Sequence, residues 1–401
     1  MQSFSFLRPF PHRRRVLKGW EEKISYHNYK DIPKELYWDF IGESGFIGHQ
    51  TFLYKLFRPT VREQYREMVK TFSETAVEIT QPRAFALSKI KGAERNNLPV
   101  RLLENEEVAV SPYFPSGNEN LVFFNAEANE IFYIQEGEGE FQTEFGVLKY
   151  EPFDFVLMPK GTFYSIQPKS KSQAMLIIEM PKQYYMPNYG LLSQDYPIAS
   201  SQIEGENISV LTNEVNNPKK GKVKVVKKVG GNYKEEIYSN SPLACAGWQG
   251  TLYPFKINAV DINVVESHTF HLPPSAYVTF LNENGSVNII TFLPRFVHTP
   301  PYNHRNTSYN EFMFYSKGTF ISRSGIGVGD ITLHPIGGHH GPQPKKEFFE
   351  VKSIEEYKKH FVDEIALMIE SQPNFRLTPL AKKIEIEEYA LSWHKESIEV
   401  S

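Results

Sequence analysis

The chain is predicted to be all-β, of sandwich or barrel architecture, and built from two related units. Three observations point there. Short apolar and aromatic runs with β-branched residues recur through most of residues 35–345, broken by Gly, Pro and Asn. Helical periodicity is confined to two stretches. One strand–turn–strand pattern occurs twice, and 401 residues leave room for two substantial cores.

Taken along the chain, a short helix is expected around 60–73 (TVREQYREMVKTF). The runs LVFFNA, EIFYIQEG, FDFVLMP and AMLIIEMP, all before residue 182, then read as strands. Residues 213–236 are rich in Asn, Gly and Pro and carry Lys219, Lys220, Lys222, Lys224, Lys227 and Lys228. No aromatic stacking platform accompanies these lysines, so the segment reads as a solvated linker or hairpin, not a nucleic-acid patch. It divides the chain into an N-terminal domain over 1–212 and a C-terminal domain over 237–401. AYVTFLN, VNIITFLP and DITLHP read as strands of the second domain. A helix is expected over 353–371, with Ser353 as N-cap before Glu355 and Glu356 and a stripe of Phe361, Ile365 and Met368 that needs an apolar partner.

The repeat relates residues 130–161 to residues 311–341. Each copy opens with Glu (Glu130, Glu311), has Gly seven residues on (Gly137, Gly318), and closes in a Pro-containing turn after an Asp-led strand (Asp154, Asp330). Seven residues before the glutamate the first copy has Phe123 and the second has His304. The first unit therefore reads as metal-free, a scaffold or an interface.

A formal charge of −3 gives no global attraction to nucleic acid or anionic membrane. The single cysteine, Cys245, rules out an internal disulfide and a cysteine-built metal site. The basic N-terminus lacks a continuous apolar core, and no later stretch reaches about 18 uncharged apolar residues. The chain reads as soluble and cytoplasmic.

Seven of the twelve histidines lie between His268 and His340, and none lies between His49 and His268. His304, Glu311 and His340 fall near the ends of short β-type segments. Two neutral imidazoles and a carboxylate are the ligand set that leaves open positions on a non-haem Fe(II). His339 competes with His340 for this role, and its side chain is expected on the opposite face of the strand.

Several segments, in shared order, resemble the homogentisate 1,2-dioxygenase family of the cupin superfamily. They are GESGFIGHQTFLYKLFRPT (42–60), NAEANEIFYIQEGEGEFQTEFGVLKYEPFDFVLMPKGTFYSI (125–166), GWQGTLYPFKI, HLPPSAYVTFL, PPYNHRN, EFMFY and LHPIGGHHGP. Two departures stand out. Glu311 follows His304 by seven residues where better-known members have six, a difference that a β-bulge absorbs. Phe320 stands where they carry a substrate-facing tyrosine, nine residues after the glutamate.

The resemblance implies two cupin-like jelly-roll units with a few peripheral helices. It implies an Fe(II)-dependent ring-cleaving dioxygenase that converts homogentisate and O2 to maleylacetoacetate in tyrosine and phenylalanine catabolism. It also implies a homo-oligomer. Residue by residue, His304, Glu311 and His340 become metal ligands and His271 the acid–base histidine, with His268 as rival. Tyr302, Asn306 and His334 become substrate-site residues; Asn306 could instead brace the strand, and His334 could orient a ligand. Arg305 reads as structural, and Trp248, Tyr253 and Phe255 as core. The alternatives are a cupin dioxygenase for another hydroxylated aromatic acid such as gentisate, manganese in place of iron, and a non-catalytic cupin that binds an aromatic acid or metal.

Overall fold

An Asn–Glu pair heads the central strand of each unit, and backbone pairing fixes what surrounds it. The computed structural model describes residues 25–26, 37–44, 47–56, 62–70, 77–90, 98–116, 121–187, 197–205, 220–268, 272–297, 301, 304, 306–338, 340–343 and 353–393. In the first unit the strand Asn129–Glu136 lies between Asp154–Met158 and Ala174–Met180, which sets Glu130 opposite Met158 and Glu179. In the second, Asn310–Lys317 lies between Asp330–His334 and Ile365–Ser371, which sets Glu311 opposite His334 and Glu370. The leading asparagines act alike. Asn129 Nδ2 donates to Met180 O and Lys182 O at 3.4 and 3.1 Å, and Asn310 Nδ2 donates to Ser371 O and Pro373 O at 3.1 and 3.0 Å. The twofold pattern of the sequence is thus a twofold pattern of register and side-chain bonding.

The described residues are mostly strand and form an eight-stranded sheet, two seven-stranded sheets and two smaller ones. The fold is all-β with two cupin-like units, whose sheets are sandwich-like and not closed barrels. The units interlock. Arg83–Ala86 and Tyr184–Tyr185 form the two edges of the second unit's sheet, while Arg376–Leu377 joins the first unit's sheet. Between the units Tyr133 Oη donates to Ser316 Oγ at 2.7 Å, and the Tyr133 and Phe314 rings meet edge to face. Phe132, Tyr133, Phe312 and Phe314 are fully buried, and one continuous apolar cluster takes in both units. Each such side chain stabilises the fold by about 1.5–3 kcal/mol on burial.

Two expected helices are corrected. Over 353–371 only Ile354–Tyr357 is helical, capped by Ser353 Oγ, which accepts from Glu356 N. Ile365–Ser371 is instead a central strand, paired on both sides, with Ile365 through Ile369 buried. A continuous apolar run of this length fits a buried strand as well as a helix, and two strand partners decide the matter. Phe361, at the head of the expected stripe, is exposed. The repeat contained the correction, since Ile365–Ser371 holds the place of Ala174–Met180. The stretch around 60–73 is likewise a strand, Arg62–Lys70, whose backbone pairs antiparallel with Asn232–Asn240.

Within 213–236, the described part is a hairpin of Lys220–Val229 and Asn232–Asn240. Gly230 and Gly231 both take positive φ (61° and 69°), the two-residue turn that matches strand twist. The hairpin is no free linker: Lys220–Val229 runs parallel to Val122–Asn125 inside a first-unit sheet. Among the described residues no helix is long and apolar enough to cross a membrane.

Candidate metal centre

His304 and His340 form an isolated antiparallel bridge, His304 N donating to His340 O at 2.8 Å and His340 N to His304 O at 2.9 Å. Directly opposed residues project side chains to one face, and the two rings lie 4.3 Å apart. Glu311, at the head of the neighbouring strand, meets both. Its Oε1 is 3.4 Å from His304 Nε2 and its Oε2 is 2.8 Å from His340 Nε2. The three ligand atoms all lie within 4.8 Å of one another.

The bonding around these atoms fits a metal. His340 Nδ1 lies 2.9 Å from Gly338 O, an acceptor only, so Nδ1 carries a proton. In that tautomer Nε2 would face the Glu311 carboxylate with a lone pair, and a cation between the two would replace the hydrogen bond that a protonated Nε2 makes there. Ligand atoms about 2.0–2.2 Å from one ion sit roughly 3 Å apart, matching the separations seen. Burial opposes ionisation of Glu311, but hydrogen bonds from His304 and His340 outweigh it and hold the carboxyl well below its usual range. Glu311 is therefore available as an anionic ligand.

The cavity beside these atoms has apolar walls including Phe292, Met313 and Met368. Pro274 and Pro301 also line it; the first lies three residues after His271 and the second immediately precedes Tyr302. His271, Tyr302, Arg305 and His339 themselves lie outside the described residues. His268 faces Tyr357 edge to face, with ring centroids 6.3 Å apart. Asn306 acts as a brace: its Oδ1 accepts from Ser308 N and Tyr309 N, and its Nδ2 donates to Glu370 at 3.4 Å. His334 is fully buried, stacks on His340 at 4.3 Å and 4°, and meets Tyr389 Oη through Nε2 at 3.1 Å. Burial first, then His340 and Arg323, push its pKa well down, so the ring is neutral. It supports the His340 ring from behind.

Sequence reading missed three features of this site. Glu370, raised to about 7 by burial and by Glu311, stands beside the ligand carboxylate; the repeat could have located it through Glu179. The buried Arg295–Glu364 ion pair (2.7 Å) and the buried Arg323 line the cavity from separate loops and strand ends, where no periodicity marks them.

The fold and site define a class, an all-β protein of two cupin-like units with a two-histidine, one-carboxylate cluster in its second unit. Comparison with known proteins narrows the class. Residues 100–259 match the sequence model of the homogentisate 1,2-dioxygenase N-terminal region, and residues 262–399 match that of its C-terminal region. The chain belongs to the homogentisate 1,2-dioxygenase family.

Among relatives, a Saccharolobus solfataricus protein named "Putative dioxygenase" is 30% identical over 395 residues, spanning 92% of this chain and 99% of its own. The homogentisate 1,2-dioxygenase of Pseudomonas entomophila is 27% identical over 250 residues, 58% of this chain and 56% of its own. Among solved structures, a cupin 2 conserved barrel domain protein from Leptotrichia buccalis aligns over 74% of this chain and 99% of its own, at 10% identity and TM-score 0.33. An oxalate decarboxylase of Bacillus subtilis aligns over 77% of this chain and 82% of its own, at 12% identity and TM-score 0.36. Those structural likenesses are slight, and the strand pairings above define the fold.

Proposed function

We propose that this dioxygenase-family chain is an Fe(II)-dependent, extradiol-type ring-cleaving enzyme that takes homogentisate and O2 to maleylacetoacetate in tyrosine and phenylalanine catabolism. The observation that carries the reading is the convergence of His304, Glu311 and His340 at a cavity with apolar walls. Fe(II) held there would supply a Lewis acid for a ring hydroxyl and a place for O2 next to it. The residues of the chain do the rest. The His304–His340 bridge and the His334 stack fix the imidazoles, and the Gly338 carbonyl fixes one tautomer, so the ligand set is preorganised. The apolar walls exclude water and seat an aromatic ring.

His271 is assigned the proton transfer, removing the ring hydroxyl proton and returning it late in the reaction, a task suited to a pKa of about 6.5. Tyr302 is assigned to the substrate, with Asn306 and His334 as supports of the site. The enzyme is proposed to work as a homo-oligomer.

A second reading, a related hydroxylated aromatic acid such as gentisate, is favoured by Phe320. That residue is buried against Tyr315, with ring centroids 4.6 Å apart, and offers the cavity no hydroxyl. Oxygen uptake by the Fe(II)-loaded protein on a panel of hydroquinone acids separates the two, with fastest turnover expected on homogentisate. His271→Ala should retain the metal and lower kcat by about 10²–10⁴-fold, with His268→Ala doing much less. Metal loss from His271→Ala, or equal effects of the two changes, would reassign the role.

A further inference from the structure

Arg323 is a buried cation on the wall of the same cavity, and among the described residues it has no carboxylate ion pair. Its partners are neutral. Nη1 donates to Ser322 O at 3.0 Å and to Gly341 O at 2.5 Å, and the Tyr315 and Tyr389 hydroxyls lie near the guanidinium. Burial pushes both phenols up, so these are protonated hydroxyls and not phenolates. Nε is buried and has no hydrogen-bond partner among the described residues. The Trp393 ring covers the group, 5.7 Å from Cζ to centroid. A buried guanidinium hydrogen-bonded only to neutral groups keeps its full charge, and the carboxylate that acts on it at longer range, Glu311, is the one the metal cluster uses. The other arginine of the cavity, Arg295, already has Glu364.

The charges that line the cavity can be counted. Arg295 and Glu364 cancel, and Glu311 and Arg323 cancel, so a divalent ion on the His304–Glu311–His340 cluster leaves the cavity at about +2. The matching ligand carries two negative charges, a phenolate for the metal and a second anionic group. Arg323 lies beside the metal cluster, since it bonds the carbonyl of Gly341, the residue after His340. One small aromatic ring therefore reaches both.

We infer that Arg323 is the specificity-determining residue of this cavity, selecting hydroxylated aromatics that bear a carboxylate over their neutral analogues. This rests on the proposed function for the metal cluster and adds the residue that reads the acid. Arginine suits the role because it stays charged when buried and presents a planar donor fork to a carboxylate.

The test is calorimetric titration of the full chain, loaded with redox-inert Zn(II), with (2,5-dihydroxyphenyl)acetate and with its methyl ester. The wild type should bind the acid at least about tenfold more tightly than the ester, as a charge-assisted contact gives. Arg323→Lys should keep the preference and Arg323→Gln should bring the ratio close to one. Ser322→Asp puts a carboxylate beside the guanidinium; it should erase the preference too, and it decides the question if Arg323→Gln does not fold. Equal binding of acid and ester by the wild type, or a wild-type ratio in either charge-cancelling variant, overturns the inference. Oxygen uptake by the Fe(II)-loaded wild type separates this from the reading beneath it. Arg323-dependent acid preference with no turnover of any hydroquinone would sink the dioxygenase reading alone. Turnover of acid and ester alike would sink the Arg323 inference alone.

Discussion

Glu130 and Glu311 hold the same place in two copies of one frame, and their surroundings differ in kind. Around Glu311 the bridged pair is His304 and His340; around Glu130 the paired residues are Phe123 and Tyr164. His334 opposes Glu311, whereas Met158 opposes Glu130. Tyr164 Oη donates to Glu130 Oε2 at 2.9 Å where His340 Nε2 meets Glu311 Oε2 at 2.8 Å. Even the supporting amides correspond: Asn125 bonds Glu179 at 2.8 Å, and Asn306 bonds Glu370 at 3.4 Å. What differs is the cation. In the first unit Lys228 contacts Glu179 and Arg101 lies 2.9 Å from it, so fixed ammonium and guanidinium groups answer the buried carboxylates. The second unit has imidazoles where the first has Phe123 and Tyr164, which is where a metal would be taken up. One frame therefore supports a self-neutralised core or an open ligand set, according to the residues that surround its glutamate.

The largest expected effect comes from giving the second unit the first unit's residues. His304→Phe with His340→Tyr should abolish metal binding and lower turnover by at least about 10³-fold, since the ion's contribution is several kcal/mol. Oxygen uptake and metal analysis read it, and retained iron would break the correspondence. Next comes Lys228→Met, which leaves Glu130 and Glu179 with Arg101 alone. It should cost about 3 kcal/mol in chemical denaturation, with little change in the metal content of the second unit. Loss of the metal instead would show that the two clusters depend on each other.

The smallest effect is a pH dependence. Burial, then Glu179, raises Glu130 to about 7, while Arg101 and Lys228 outweigh burial and lower Glu179 to about 2. A raised carboxyl costs stability as pH climbs from its unfolded value, about 4.3, through 7. Glu130→Gln should therefore stabilise the protein by about 1 kcal/mol at pH 8 and be nearly neutral at pH 5, as judged by Tm at the two pH values. The opposite trend would mean that Glu130 is ionised throughout. Glu179 works the other way, its contribution being present at neutral pH and lost only as the pH falls toward 2.

Much of this contrast was legible in the sequence. The Glu-to-Gly spacing and the Phe123–His304 correspondence gave the repeat, and the HRN, EFM and HGP segments gave the three residues that converge. Helix and strand look alike in sequence at 353–371 because an apolar run with charged flanks satisfies both periods, and only the sheet partners of Ile365–Ser371 decide. Arg323 and the Arg295–Glu364 pair escaped because their roles come from long-range packing. By composition Lys228 belongs to a solvated run, yet its side chain is buried on Glu179, since Lys220–Val229 runs into a first-unit sheet. Charge runs look uniform in sequence; Lys222 and Lys224 are exposed and Lys228 is buried because only the later part of the strand pairs with Val122–Asn125.

The central claim is that only the second unit binds a metal, through His304, Glu311 and His340. The most direct test is elemental analysis of the full chain reconstituted anaerobically with Fe(II), beside the His304→Phe variant. One iron per wild-type chain and none in the variant is the predicted result. Two per chain, or one retained in the variant, would contradict it.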